Sequence, residues 1–209
     1  MSYNHFTPLE FNKKTILQFI IYNLQFYLRF VQIYPIMRIY LIGYMGSGKT
    51  TTGRRLAKKL RCNFIDLDEM VEEKYHITIP TLFDKYDEDA FRLLEKKTLS
   101  ETFKKDNIVI STGGGTPCFF NNMEMINANG ISIYLKMNSK SLINRLLNAK
   151  RRRPLITGKS PEQLLSFVTS QLKLRETFYL KAKIIANGEE SDIEWLAKQI
   201  AGNNDNGSK

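Results

Sequence analysis

From Arg38 onward, short continuous apolar runs alternate with longer stretches in which apolar residues recur every three or four positions. The continuous runs predict buried strands at Arg38–Ile42, Asn63–Leu67, Ile108–Ser111, Ile131–Met137 and Lys183–Ala186. The spaced stretches predict helices at Lys49–Leu60, Asp68–Tyr75, Thr81–Tyr86, Asp87–Lys105, Asn121–Ala128, Ser139–Ala149, Pro161–Lys181 and Asp192–Ala201. Ser160-Pro161-Glu162 suits a helix start, with proline at the first helical position. Strands that alternate with helices predict a three-layer α/β/α domain built on a parallel sheet covered on both faces. In such sheets ligands bind beyond the carboxyl ends of the strands.

Residues 1–36 follow another pattern. Thr15–Leu28 carries no charge and is rich in Ile, Leu, Phe and Tyr, but its 14 residues fall short of a membrane span. No small-residue cleavage site follows it. Met37 directly precedes the first strand and reads as the true start of the protein; an interfacial amphipathic helix is the alternative for the extension. The domain is expected over 37–202, with a polar, frayed tail over 203–209.

With 209 residues, 43% hydrophobic and 25% charged, the bulk is a globular domain of ordinary size. The net charge is +10, of which the extension carries +2, so +8 belongs to the domain. That charge suits anionic small substrates as well as nucleic acid, and the basic residues are dispersed apart from Lys150–Arg153. Two cysteines, Cys62 and Cys118, make neither a disulfide framework nor a metal-binding spacing, which fits a reducing cytoplasm.

The chemistry gathers at the predicted strand ends. Gly43-Tyr44-Met45-Gly46-Ser47-Gly48-Lys49-Thr50 matches G-x-x-x-x-G-K-[ST] between a strand and a helix. Backbone N–H groups of such a loop cradle phosphates at a helix N-terminus, Lys49 neutralises phosphate charge, and the Thr50 hydroxyl ligates Mg²⁺. Asp66 and Asp68, two apart at the end of the second strand, are expected on one face, one holding Mg²⁺ and one accepting a hydroxyl proton. Asp68 also suits a helix N-cap. Arg92 and Glu95, three apart, read by themselves as a surface ion pair. Gly113-Gly114-Gly115 after the third strand permits close approach of a ligand, or is a flexible loop. Lys150–Arg153 with Pro154 is a basic loop between helices, able to close as a lid. Arg175, late on a long helix, reads alone as a surface residue.

Taken in order, the phosphate loop, Asp66-x-Asp68, Phe91-Arg92-x-x-Glu95, Gly113–Gly115, Arg153-Pro154-Leu155 and Arg175-x-x-x-Tyr179 resemble the shikimate kinase family across nearly all of Met37–Gly202. The resemblance implies a P-loop NTPase fold, similar to nucleoside monophosphate kinases, with a five-stranded parallel sheet and a lid. It implies transfer of the γ-phosphoryl group of ATP to the 3-hydroxyl of shikimate, with Mg²⁺, in aromatic amino-acid biosynthesis. By the same resemblance Gly46, Ser47, Gly48, Lys49, Thr50 and Thr51 hold the nucleotide, and Thr50 and Asp66 serve the metal. Asp68 binds the acceptor hydroxyl as base, Arg92 and Arg175 grip the carboxylate, and Glu95 orients Arg92. Gly113, Gly114 and Gly115 approach the ring, and Arg153 acts on phosphates from the lid. A cytoplasmic monomer that binds neither nucleic acid nor, through its catalytic domain, a membrane is expected.

There are departures. Asp89-Ala90 stand where the family often has glycine before Phe-Arg, Arg145 is the nearest candidate for a second lid arginine, and the extension has no counterpart. The adenine loop falls near Asn187-Gly188. Rival readings are a kinase for gluconate or a nucleotide, and a non-catalytic nucleotide- or nucleic-acid-binding protein.

Overall fold

The computed structural model describes Gln18, residues 37–148 and residues 160–205. The chain divides into two units, Met1–Pro35 and Ile36–Lys209, and every element named here belongs to the second. Five strands, β1 (Arg38–Ile42), β2 (Asn63–Asp66), β3 (Ile108–Ser111), β4 (Ile131–Lys136) and β5 (Ile184–Asn187), form one sheet in the order β2-β3-β1-β4-β5. All four pairings are parallel. The helices are α1 (Lys49–Leu60), α2 (Leu67–Tyr75), α3 (Ile79–Lys85), α4 (Glu88–Thr102), α5 (Asn122–Asn129), α6 (Ser139–Leu147), α7 (Pro161–Tyr179) and α8 (Ile193–Asp205).

Burial follows position in the sheet. Central β3 is buried throughout, whereas the edge strand β5 alternates buried and exposed residues, with Ile185 facing out. A central parallel strand has helices on both faces, hence its uninterrupted apolar run. Alternate residues of β1 feed opposite layers. Ile39 and Leu41 pack with Leu56 and Ala57 of α1 and Leu196 and Ile200 of α8. Tyr40 packs with Leu67 and Leu99, and Ile42 packs with Leu142 of α6 and Val168 of α7. A smaller cluster, Val71, Leu82 and Phe91, ties α2 and α3 to α4.

The predicted elements are all present, with shifted ends. The second strand stops at Asp66 rather than Leu67, because the Asp66 carboxylate caps α2 by accepting from the Asp68 N–H at 3.1 Å. Asp68 is therefore a first-turn helix residue. The expectation that Asp66 and Asp68 share a strand face is wrong, and the N-cap is Asp66, not Asp68. Ser160 and Gln163 form a reciprocal capping box at the start of α7, as Ser160-Pro161 suggests. The last helix continues past Ala201 to Asp205, where Asn203 Nδ2 donates back to the Gln199 carbonyl at 3.0 Å; residues 206–209 of the expected tail lie outside the described residues. Among the described residues no helix is long and apolar enough to cross a membrane.

Candidate active site

The sheet order reverses at β1, whose neighbours are β3 and β4, and the loops leaving β1, β2 and β3 converge at their carboxyl ends. After β1, Gly46 and Gly48 take φ of +84° and +95°, a backbone that only glycine adopts without strain. These turns aim the start of α1 back at the loop. Lys49 is 8% exposed and donates to the carbonyls of Gly43 at 2.9 Å and Tyr44 at 3.0 Å. An ammonium held on the carbonyls of its own loop sits inside the phosphate cradle. The Ser47 Oγ is buried with no hydrogen-bond partner among the described residues. A buried polar atom without a partner carries a desolvation cost, which a phosphate oxygen would relieve. Thr51, by contrast, is exposed on the outer side of α1.

Thr50 Oγ1 donates to Asp66 Oδ2 at 2.7 Å. One Asp66 oxygen therefore holds Thr50 while the other caps α2. Hydroxyl and carboxylate oxygens suit a hard divalent cation. No group of three or more His, Cys, Asp or Glu among the described residues is placed to hold a metal alone.

A second cluster begins at Gly113. A Cβ there would lie 2.6 Å from Glu95 Oε1, 2.9 Å from Thr116 Oγ1 and 3.0 Å from Asp68 Oδ1, so three polar side chains from three elements crowd one glycine. At Gly114 a Cβ would lie 3.1 Å from the Met45 N, and at Gly115 it would lie 2.5 Å from Arg92 Nη2. The triple glycine is thus packed on both sides: one residue abuts the phosphate loop and the next abuts Arg92. It is not a flexible loop.

Arg92 and Glu95 do not form the surface ion pair their spacing suggests. They are 5% and 1% exposed, and Arg92 Nη1 donates to Glu95 Oε2 at 2.8 Å. Glu88 accepts from Arg92 Nε and Nη2 at 3.2 and 2.8 Å. Burial works against the guanidinium charge, but Glu95 and Glu88 outweigh it and raise the pKa. Arg175 is partly buried, with its guanidinium 5.4 Å from the centre of the Tyr44 ring in the phosphate loop. Cys118 is partly buried within electrostatic reach of both arginines. Burial pushes its thiol up to about 11 while Arg175 and Arg92 pull the other way. Tyr179 is fully buried and donates to the Gly114 carbonyl.

Gly114 thus abuts the phosphate loop, Gly113 abuts Asp68 and Glu95, Gly115 abuts Arg92, and Arg175 lies beside Tyr44. The structure brings together Gly46, Ser47, Gly48, Lys49, Thr50, Asp66, Asp68, Arg92, Gly113, Gly114, Gly115 and Arg175. Arg153 and the basic loop lie outside the described residues. Sequence reasoning left Arg145 unassigned. It reaches from α6 to donate to the Ser47 carbonyl at 3.4 Å and the Glu189 carbonyl at 3.2 Å. Its one signal is its place on the helix leading into the basic loop. Thr52, whose Oγ1 donates to Ser191 Oγ at 3.1 Å, ties α1 to the Asn187–Ser191 turn and carried no signal.

A family model described as Shikimate kinase matches residues 45–203. A shikimate kinase of Phocaeicola vulgatus is 48% identical over 153 residues, spanning 73% of this chain and 87% of the relative. The crystal structure of shikimate kinase from Bacteroides thetaiotaomicron superposes with a TM-score of 0.72 at 42% identity, covering 79% of this chain and 95% of that one. Shikimate kinase from Acinetobacter baumannii, solved in complex with shikimate, gives 0.70 at 34% identity, covering 83% and 95%. The chain belongs to the shikimate kinase family and is an ATP-using kinase that phosphorylates shikimate.

Proposed function

We propose that the cleft divides into a nucleotide half and an acceptor half that meet at Gly114, and that the residues of each half act as follows. Lys49 exchanges the Gly43 and Tyr44 carbonyls for phosphate oxygens, and the N–H groups of Gly46–Thr50 cradle the β-phosphate. Thr51, exposed on α1, contributes its backbone alone. Thr50 and Asp66 hold Mg²⁺, which when bound offsets phosphate charge during transfer. Arg145 and Arg153 add positive charge from the side of α6 and the basic loop, Arg145 standing on Ser47 already.

In the acceptor half, Arg92 and Arg175 grip the carboxylate of shikimate; a planar fork suits that group, which a lysine would bind only as a point charge. Gly113–Gly115 let the ring lie against backbone, since a side chain would meet Glu95 and Asp68 at Gly113, the phosphate loop at Gly114 and Arg92 at Gly115. Asp68 then accepts the proton of the 3-hydroxyl as that oxygen attacks the γ-phosphorus. Positioning of this kind supplies much of what phosphoryl transfer requires. The protein acts as a cytoplasmic monomer, since one chain supplies both halves of the cleft. Its +8 domain charge serves anionic small substrates rather than nucleic acid.

The observation that carries this reading is geometric: Arg92 abuts Gly115, Gly114 abuts the phosphate loop at Met45, and Arg175, 83 positions beyond Arg92 in sequence, lies 5.4 Å from the centre of the Tyr44 ring in that loop. ADP release measured against a panel of acceptors tests it. Turnover with shikimate, and little with gluconate or nucleoside monophosphates, is expected. Turnover with gluconate or a nucleotide and none with shikimate would refute the acceptor assignment.

A further inference from the structure

Arg92 is held by more than its carboxylates. Its guanidinium carbon lies 4.2 Å from the centre of the Phe119 ring and 4.9 Å from that of Phe91. Phe91 neighbours Arg92 on α4, so its contact follows from the helix. Phe119 does not: it comes from the segment after the triple glycine and reaches Arg92 only because that segment folds back.

The fold-back is tightly specified. Thr116 donates its hydroxyl to Glu95, the carboxylate that also accepts from Arg92. Asn122 is buried and donates Nδ2 to the Thr116 carbonyl at 2.9 Å, and the Cys118 N–H donates to the Gly115 carbonyl at 2.8 Å. Phe120 then takes φ of +52°, a left-handed conformation that is unfavourable for a bulky side chain. Its own ring is 50% exposed, so burial of Phe120 does not repay that strain. Strain retained in a well-ordered turn beside a binding group points to a use for the turn. What this turn sets is the position of Phe119.

We infer that Phe119 is a positioning residue for the acceptor: its ring face holds the Arg92 guanidinium in the plane from which it forks the carboxylate of shikimate. The face of an aromatic ring attracts the cation and stacks against its plane, which fixes the tilt that the flexible arginine stem leaves open. Glu95 and Glu88 hold the guanidinium by its nitrogens; Phe119 restricts rotation out of that plane. The effect belongs to acceptor binding, because the group that Phe119 stacks on is the Arg92 guanidinium. The inference rests on the proposed grip of Arg92 on the carboxylate, and the test separates the two.

The test is a steady-state comparison of the full-length protein with Phe119→Leu, Phe119→Tyr, Arg92→Lys and the Phe119→Leu/Arg92→Lys double variant, each checked for an unchanged circular dichroism spectrum. Phe119→Leu keeps apolar bulk and removes the ring face. It is expected to raise KM for shikimate about three- to tenfold, leaving kcat and KM for ATP within about twofold. Phe119→Tyr keeps the ring face and is expected to stay within about twofold of the parent in every constant. In the Arg92→Lys background the leucine substitution is expected to add less than about twofold, since the planar fork it positions is gone. An unchanged shikimate KM in Phe119→Leu overturns the inference, as does the same rise in both backgrounds, or a loss confined to kcat. Should Arg92→Lys itself leave shikimate KM unchanged, the carboxylate grip fails and the inference fails with it.

Discussion

Asp66 and Asp68 show how two like residues at one strand end are given different work. Asp66 is engaged through both oxygens, by the Thr50 hydroxyl of the phosphate loop and by the start of α2, and is proposed to serve the metal beside Thr50. Asp68, one residue into the helix, lies with its carboxylate beside Gly113, where an acceptor hydroxyl is proposed to bind. The motif spacing was legible, but the strand-face argument that grouped the two was not right. A capping carboxylate ends a strand early, and alternation no longer applies beyond it. Asp68→Asn keeps the shape and removes the base, so kcat should fall by about 10²–10⁴-fold while the Kd for ATP, measured by calorimetry, stays nearly constant. Retained turnover would remove Asp68 from that role. Cys118 offers a second residue-scale test. Burial holds its thiol up to about 11, so it is almost wholly protonated at neutral pH. Its alkylation by iodoacetamide, followed by mass spectrometry, should be slow at pH 7 and rise about tenfold per pH unit up to pH 9, the thiolate being the reactive form. Saturating shikimate should slow it further. A fast, pH-independent reaction would place the thiol in a different setting.

At the scale of elements, α4 explains why half of the acceptor site was hidden in the sequence. Its buried residues are Phe91, Arg92, Glu95, Thr98, Leu99 and Thr102, a helical stripe that is mostly polar. Periodicity arguments find buried faces by their apolar residues, so this one registers as a surface ion pair. Only the family's residue order singled it out. The phosphate loop was fully legible, because its glycines are demanded by backbone conformation and need no tertiary information. Arg145 and Phe119 were not, since each depends on where one element comes to rest against another. Two glycine substitutions test this packing. Gly115 has an ordinary φ of −95°, which alanine accepts, so the first atoms the added methyl meets are those of the Arg92 guanidinium. Gly115→Ala should raise KM for shikimate at least about tenfold with KM for ATP unchanged, a loss comparable to one charge-assisted hydrogen bond. Equal loss in both constants would argue against separate halves. Gly53, on α1, faces the core: a Cβ would lie 2.5 Å from Phe64 Cε2 and 3.1 Å from Leu41 Cδ1. Gly53→Ala should lower unfolding free energy by about 1–3 kcal/mol in urea titration through overpacking, despite alanine's better helix propensity. A stabilised variant would show that Phe64 yields freely.

For the whole molecule, the alternation of strands and helices was enough to give the parallel sheet and the end at which ligands bind. The strand order was not readable, because it depends on which strands meet across long connections. The two units of the chain carry separate expectations. Removing residues 1–36 should leave kcat and both KM values unchanged within about twofold, as every group assigned to the cleft follows Met37. A large loss would make the extension part of the working enzyme. The proposed mechanism needs one cleft in which the phosphate loop and a carboxylate grip face each other across Gly114. A crystal structure with ADP and shikimate bound tests that most directly. The carboxylate should lie at about 2.7–3.2 Å from guanidinium nitrogens of both Arg92 and Arg175, with the 3-hydroxyl at hydrogen-bond distance from Asp68 and turned toward the β-phosphate. A carboxylate bound away from either arginine, or a 3-hydroxyl turned away from the nucleotide, would contradict it.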